Sequence, residues 1–221
     1  MAVKLVKPIN HKKVVKITNQ DFEAKMRELR VNSDIAVAVS GGPDSLALMH
    51  LSNRYALNNN INLTVLSIDH GIRAESSKEI VWLEKIAKKN KINFYSTKLK
   101  KRINSSNTLS KARTLRYEAL SKYCNKKKIK FLLTAHHLDD EIENFLMRLI
   151  RGSGVKGLSS LKVKSRYKNT KLILVRPLLE YSKKSLVAYL SEQKQVYIND
   201  RTNYNNTVSY THLTLPTTFG V

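Results

Sequence analysis

The chain is poor in cysteine, in acidic residues and in long apolar runs, and each shortage excludes something. Cys124 is the single cysteine of 221 residues, so neither an internal disulfide nor a C-x-x-C metal or redox pair can form within the chain. No run of 18 apolar residues occurs, and no transmembrane helix is expected. Residues 1–16 mix short apolar runs with Lys and His and lack the apolar core of a signal peptide, so a cytoplasmic location is expected. Internal repeats and low-complexity segments are lacking too. Only 17 acidic residues face 40 Lys and Arg, a net charge of +23. Segment 76–130 alone holds 17 of the basic residues and three Glu. A surface of that kind attracts polyanions and steers them from a distance. The segment lacks the interleaved aromatics of an RNA-binding signature, and a generic solvated lysine-rich surface would look the same.

What is present reads as one α/β domain and a little more. With 42% hydrophobic and 26% charged residues, the composition is that of a globular protein. Thr18 or Asn19 can cap a helix over residues 20–29, and Ile35 to Val39 is an unbroken apolar strand. Further strands are expected at 63–69, 92–97 and 131–135. Helices are expected at 44–57, 77–89, 109–127 and 138–151, the last stopping at Gly152. This alternation predicts a Rossmann-like parallel sheet with right-handed crossovers and helices on both faces. After a loop at 152–157, residues 162–167 and 171–175 read as two arms of a hairpin, and 182–193 as a capped helix. From about Val208 no clear pattern continues.

The strand at 35–39 runs into Ser40-Gly-Gly-Pro-Asp-Ser45 and then a helix. Gly41 and Gly42 can take positive φ and let backbone N–H groups close around an anion. Pro43 suits a first helical turn, whose N-terminus favours negative charge. Ser40 and Ser45 can add hydroxyl donors, and Asp44 can either hold a magnesium ion or cap the helix. The loop is a phosphate cradle without the Gly-Lys-Ser/Thr ending of a Walker A motif. It resembles the SGGxDS loop of the PP-loop ATP pyrophosphatases, which bind ATP and release pyrophosphate while adenylating a substrate.

Other constellations sit at strand ends, where α/β sheets bind ligands. Asp69, at the end of the second strand, can bind a metal or a ribose or simply fix a turn, with Arg73 close behind. Arg113 and Arg116 are three apart and share a helix face, as suits phosphate, with Ala112, Leu115 and Ala119 expected on the apolar side. His136 and His137, adjacent at a strand end, should point to opposite faces and so not share one zinc ion. In the helix that follows, Ile142, Phe145, Leu146, Leu149 and Ile150 form a stripe expected to be buried. Asp140, Asn144, Arg148 and Arg151 should run along the opposite side. Asp139 and Asp140 could be ordinary N-terminal caps, but three acidic groups beside a histidine exceed what capping needs.

In order, these blocks resemble one family, the tRNA(Ile)-lysidine synthetases. The resemblance spans about residues 33–205 and includes Asp69-His-Gly-Ile-Arg73, Ala112-Arg-Thr-Leu-Arg-Tyr117, Thr134-Ala-His-His-Leu-Asp-Asp140 and Arg148-Leu-Ile-Arg-Gly-Ser-Gly154. Arg176-Pro-Leu-Leu179 and Asp200-Arg-Thr-Asn203 continue it. It implies the PP-loop, adenine nucleotide alpha hydrolase-like fold and a ligase using ATP and Mg2+. The partners implied are free L-lysine and isoleucine tRNA with a CAU anticodon, and no membrane. In that chemistry the C2 oxygen of the wobble cytosine is adenylated, pyrophosphate leaves, and the lysine ε-amine then displaces AMP. ATP would lie on Ser40, Gly41, Gly42, Pro43, Asp44, Ser45 and Asp69, with its adenine near the strand that starts at Leu63. Magnesium would lie on Asp44 and Asp140. The catalytic candidates are Asp44, Arg113, His136, Asp139 and Asp140: Arg113 to offset developing phosphate charge, and one of Asp139, Asp140 or His136 to take the amine proton. Past residue 204 the sequence departs from the family. The expected division is therefore a catalytic domain over 1–207 and an atypical tail over 208–221, without the family's further tRNA-binding domains. A PP-loop enzyme of tRNA thiolation or amidation and an inactive ATP- or RNA-binding fragment are the alternatives. The oligomeric state is open, a homodimer being one option.

Overall fold

The computed structural model describes residues 5–6, 16–69, 76–98, 108–150, 152 and 160–198. The sequence motifs at 70–73, 151, 153–157 and 200–203, and the tail from 208, lie outside the described residues. In chain order the elements are β1 (Leu5–Val6), α1 (Asn19–Glu28), β2 (Ile35–Ala38), α2 (Pro43–Asn58), β3 (Leu63–Asp69), α3 (Ser76–Lys89) and β4 (Asn93–Lys98). They continue with α4 (Thr108–Lys126), β5 (Phe131–Leu133), α5 (Leu138–Ile150), β6 (Lys164–Arg166), β7 (Ile173–Val175), α6 (Lys183–Glu192) and β8 (Tyr197–Ile198). Thr18 caps α1 in a reciprocal capping box with Asp21: each backbone N–H donates to the other's side chain at 3.1 Å. Gly152, at φ +65, ends the chain's run through α5 with its N–H on the Leu149 carbonyl.

The main sheet has the order β4-β3-β2-β5-β7-β6. It is parallel from β4 to β7, with Val37 opposite both Val65 and Leu133, and β6 is antiparallel on the edge. The doubly wound parallel sheet expected from the alternation is therefore present. The expected β6–β7 hairpin forms, and β7 also joins the main sheet parallel to β5. Strand alternation then sorts the core into two layers. Ile35, Val37, Val65, Phe131 and Leu133 pack with α1, α2, α3 and α6, whereas Ala36, Ala38, Leu66, Leu132 and Leu174 pack with α4. α2 and α3 connect β2 to β3 and β3 to β4 on one face, and α4 returns to β5 on the other. The order of strand addition thus reverses between β2 and β5, which opens a crevice at their carboxyl ends.

Two expectations about helix faces need correction. α5 buries none of its residues: Ile142 is 51% exposed, Phe145 46%, Leu146 45%, Leu149 53% and Ile150 56%. The apolar period is real, but α5 sits past the strand ends, and no described element covers that stripe. On α4 the buried residues are Leu120, Ser121 and Cys124, with Leu115 and Ala119 only half-buried. Leu120 and Cys124, four apart, face the sheet, and this contact rather than helix periodicity alone fixes the rotation of α4. Among the described residues no helix is long and apolar enough to cross a membrane.

Candidate functional site

The loop after β2 has the geometry its glycines suggested at one of the two positions. Gly41 lies at φ +92, a conformation that favours glycine, and a Cβ there would also displace the end of the Ile198 side chain, whose Cδ1 it would meet at 2.5 Å. Ile198 reaches this position because its N–H donates to the Gly41 carbonyl at 2.9 Å, laying β8 across the loop. Gly42 is the extended N-cap of α2, where a Cβ would make only an ordinary contact with Ser40 Oγ at 3.9 Å. Pro43 begins the helix. The Ser45 hydroxyl donates to the Gly42 carbonyl at 3.0 Å and accepts from the Ser40 N–H at 3.2 Å, so it braces the loop from inside. The first turn of α2 then offers N–H groups that no helical carbonyl can reach.

Beyond the loop lies a cavity of about 800 Å³ at the crevice between β2 and β5. Ser40, Gly42, Asp44 and Ser45 line it from the loop, and Arg113, Arg116 and Tyr117 from α4. Thr134 and His136 line it from the end of β5, and Asp140 and Asn144 from α5. The structure thus brings Ser40, Gly42, Asp44, Ser45, Arg113, His136 and Asp140 together. Gly41 and Pro43 serve in the loop backbone behind them. Asp69 is buried at the end of β3 and does not line this cavity. Asp139 does not line it either: its Oδ2 accepts from the Lys183 N–H at 2.7 Å and so ties α5 to the start of α6. Arg148 does not line this cavity; it lines a separate small cleft with Ile142, Phe145 and Asn144, and Asn144 faces both.

One wall of the cavity is basic. An Arg113 guanidinium N–H donates to His136 Nε2 at 3.2 Å, and His136 Nδ1 lies 3.0 Å from the Thr134 hydroxyl. Burial first, then the charges of Arg113, Arg176 and Arg116, push the His136 pKa down to about 3, so the ring is neutral. Arg176, buried behind it, donates from one terminal nitrogen to the Lys162 carbonyl at 2.7 Å and to Ser165 Oγ at 3.2 Å, while its Nε is without a partner. Burial lowers the pKa of Arg116 and of Arg176; Arg113 adds to the effect and Tyr117 opposes it. Among the described residues no carboxylate pairs with any of these three arginines. A concentration of positive charge without a protein counter-ion suits a polyanionic ligand.

The opposite wall is acidic and sets a histidine among its carboxylates. His137 is buried, with Nε2 at 3.6 Å from both Asp44 Oδ2 and Asp140 Oδ2, and Nδ1 at 3.5 Å from Asp139 Oδ2. Burial opposes its protonation, but Asp44 above all, then Asp140 and Asp139, hold its pKa above the ordinary histidine value. The other Asp44 oxygen, Oδ1, is buried and has no hydrogen-bond partner. A buried, unpaired carboxylate oxygen beside a phosphate cradle, with Asp140 lining the same cavity, fits a magnesium ion. Such an ion takes one or two carboxylates together with phosphate oxygens and water. Among the described residues no group of three or more His, Cys, Asp or Glu side chains could hold a metal ion alone.

Sequence reasoning missed Arg176 and the Thr134 hydroxyl. Thr134 and His136 are two apart on an extended segment and so share a side, which was a usable signal. Arg176 appeared only as the first residue of a block that continues the family resemblance, with no role attached, because its place depends on β7 joining β5 in parallel.

A family model described as a PP-loop domain matches residues 11–213. A protein of Rickettsia bellii (strain OSU 85-389) named tRNA(Ile)-lysidine synthase is 46% identical over 171 residues, covering 77% of this chain and 39% of the relative. One of the same name from Rickettsia typhi (strain ATCC VR-144 / Wilmington) is 40% identical over 190 residues, 85% of this chain and 44% of the relative. The chain therefore spans about two-fifths of the length of these curated relatives. Among solved structures, a U34-tRNA thiolase from Methanococcus maripaludis, with its [4Fe-4S] cluster, superposes at a TM-score of 0.66. At 23% identity it covers 79% of this chain and 64% of that one, a likeness of fold.

Proposed function

We propose that this chain, which belongs to the PP-loop domain family, carries the ATP-using centre of a ligase that joins lysine to the wobble cytidine of isoleucine tRNA with a CAU anticodon. The observation that carries the reading is one cavity at the sheet's switch point with a phosphate cradle, an unpaired arginine wall and a carboxylate wall. The similarity to proteins named tRNA(Ile)-lysidine synthase supports this acceptor. The α-phosphate lies against the N–H groups of the Gly41–Ser45 turn. As the cytosine C2 oxygen attacks the α-phosphorus, the bond to pyrophosphate breaks, and Arg113 and Arg116 offset the charge that develops. Asp44 and Asp140 would hold a magnesium ion, which would neutralise charge on the phosphates. Free L-lysine then attacks C2 through its ε-amine, AMP leaves, and Asp140 takes the amine proton, being the candidate base that both lines the cavity and is left free by α6. His136 is unsuited to that step, since its Nε2 already accepts from Arg113. The basic segment 76–130 would meet tRNA phosphates in a cytoplasmic enzyme. We place the catalytic unit at 1–207 and read 208–221 as a segment apart.

The test is tRNA-dependent AMP release and incorporation of labelled lysine into CAU-anticodon isoleucine tRNA. It should be run with this chain and with a version extended to the length of its relatives. An extended version that forms no AMP with cognate tRNA and lysine would sink the reading. Thiolation is disfavoured by Cys124, which is buried on α4 with its thiol pushed up to about 12 by burial, an unreactive state.

A further inference from the structure

We propose that Thr134 is a positioning residue: by accepting the Nδ1 proton of His136 it fixes the imidazole tautomer whose Nε2 lone pair holds the Arg113 guanidinium against the cavity. The inference turns on what each group can donate. A guanidinium has only donors, so the 3.2 Å contact between Arg113 and His136 Nε2 requires Nε2 to be the acceptor. A neutral ring with a bare Nε2 carries its proton on Nδ1, and that nitrogen faces the Thr134 hydroxyl at 3.0 Å. Were the ring doubly protonated, or protonated on Nε2 instead, an N–H would point at an arginine N–H and the contact would be lost.

Thr134 suits this part because its own place is rigid. It is buried, and its backbone N–H donates at 3.0 Å to the carbonyl of Val175, the last residue of β7, extending the β5–β7 ladder by one bond. The next residue along β7 is Arg176, whose buried charge helps keep His136 neutral. Strand register thus sets the hydroxyl, the hydroxyl sets the tautomer, and the tautomer sets the arginine. Within α4 the Tyr117 ring lies under the Arg113 guanidinium at 5.8 Å, and His136 Nε2 adds the directed acceptor that this ring contact lacks.

The inference rests on the proposed function only for its effect on turnover, so the experiment has two arms. In the first, long-range 1H–15N spectra of the histidine rings are recorded on the whole chain at neutral pH without ATP. The His136 signals are identified by their loss in His136→Gln. The wild-type ring should be the Nδ1–H tautomer, and Thr134→Val should convert a visible share to Nε2–H, while Thr134→Ser keeps the wild-type pattern. Thr134→Ala replaces valine if that variant does not fold. In the second arm, pyrophosphate release should fall about 3- to 10-fold in Thr134→Val, the worth of one neutral hydrogen bond, chiefly in kcat with KM for ATP nearly kept, and Thr134→Ser should restore it. A wild-type His136 that is Nε2–H or protonated at neutral pH overturns the inference. So does a Thr134→Val spectrum identical to wild type. If the spectra behave as expected but no variant or wild-type chain releases pyrophosphate, the functional reading fails and the positioning role stands.

Discussion

The two walls of the cavity are built from neighbouring residues with opposite outcomes. His136 and His137 are consecutive, yet one is driven neutral and the other is held protonated more firmly than usual. Both are largely buried, and burial disfavours the charged form of each. The difference lies in the neighbours: arginines from α4 and the end of β7 on one side, carboxylates from α2 and α5 on the other. Alternation along an extended strand end is enough to deliver adjacent residues to opposite environments. The supports differ as well. α4, which carries the arginines, is anchored to the sheet through Leu120 and Cys124, whereas α5, which carries Asp140 and Asn144, buries nothing. The charge-stabilising wall stands on a fixed support. On the carboxylate wall Asp44 stands on the well-buried α2, while the α5 part is held by hydrogen bonds to the chain around the start of α6, such as the Leu138 N–H on the Tyr181 carbonyl at 2.9 Å and Asp139 on Lys183.

The largest expected effect comes from removing the basic wall's leading charge. Arg113→Ala should lower pyrophosphate release by about 10²- to 10³-fold, the usual cost of a lost group that stabilises developing charge, with little change in melting temperature. Asp44→Ala should lower turnover similarly through the carboxylate wall, by loss of the partnerless Oδ1, but with some loss of melting temperature too, because its Oδ2 pairs with buried His137. Turnover that falls only in proportion to melting temperature in both variants would reduce the two walls to scaffolding. Next in size, Leu120→Ala should cost roughly 2–5 kcal/mol in chemical denaturation, since Leu120 is 2% exposed and anchors α4.

The His136 environment predicts a pH dependence of stability. Its folded pKa of about 3 lies below the ordinary 6.5, so between those values the unfolded chain binds a proton that the folded chain does not. Stability from this site is therefore full above pH 6.5 and falls as pH drops toward 3. The slope is at most about 1.4 kcal/mol per unit, or about 2 kcal/mol lost by pH 5. His136→Gln should remove that contribution. A denaturation profile between pH 7 and 5 that is identical in wild type and variant would mean that neither burial nor the arginine charges depress the ring's pKa.

Most of the fold was legible because its signals are local. The apolar run at 35–39, the Thr18 cap, the Gly152 stop and the two arms around residues 168–170 each specify one element through backbone or hydrogen-bond needs the sequence displays. The divergence of His136 and His137 was legible for the same reason. What escaped depends on partners distant in sequence. The rotation of α4 follows from Leu120 and Cys124 meeting Ala36, Leu132 and Leu174. Arg176 enters the site only through strand pairing, and Asp139 leaves it only because α6 happens to begin beside it. The α5 stripe shows the limit most directly, since an apolar period states that a face is apolar and not what covers it.

That stripe gives the smallest expected effect and the sharpest contrast between the two supports. Leu149 is 53% exposed on α5, whereas Leu120 on α4 is almost wholly buried. Leu149→Ala keeps a good helix former and removes a side chain already half in water, so stability should change by no more than about 0.5 kcal/mol. The turnover effect should be equally slight, because Asp140 is placed by the first turn of α5, where its Oδ2 accepts the His137 backbone N–H at 2.9 Å, and not by the distal stripe. The measurement is a pair of urea denaturation curves, Leu149→Ala beside Leu120→Ala, with a common slope. A loss of 2 kcal/mol or more at Leu149 would show that α5 is held by packing as firmly as α4. The carboxylate wall would then be as fixed as the arginine wall, and the contrast between them would reduce to charge alone.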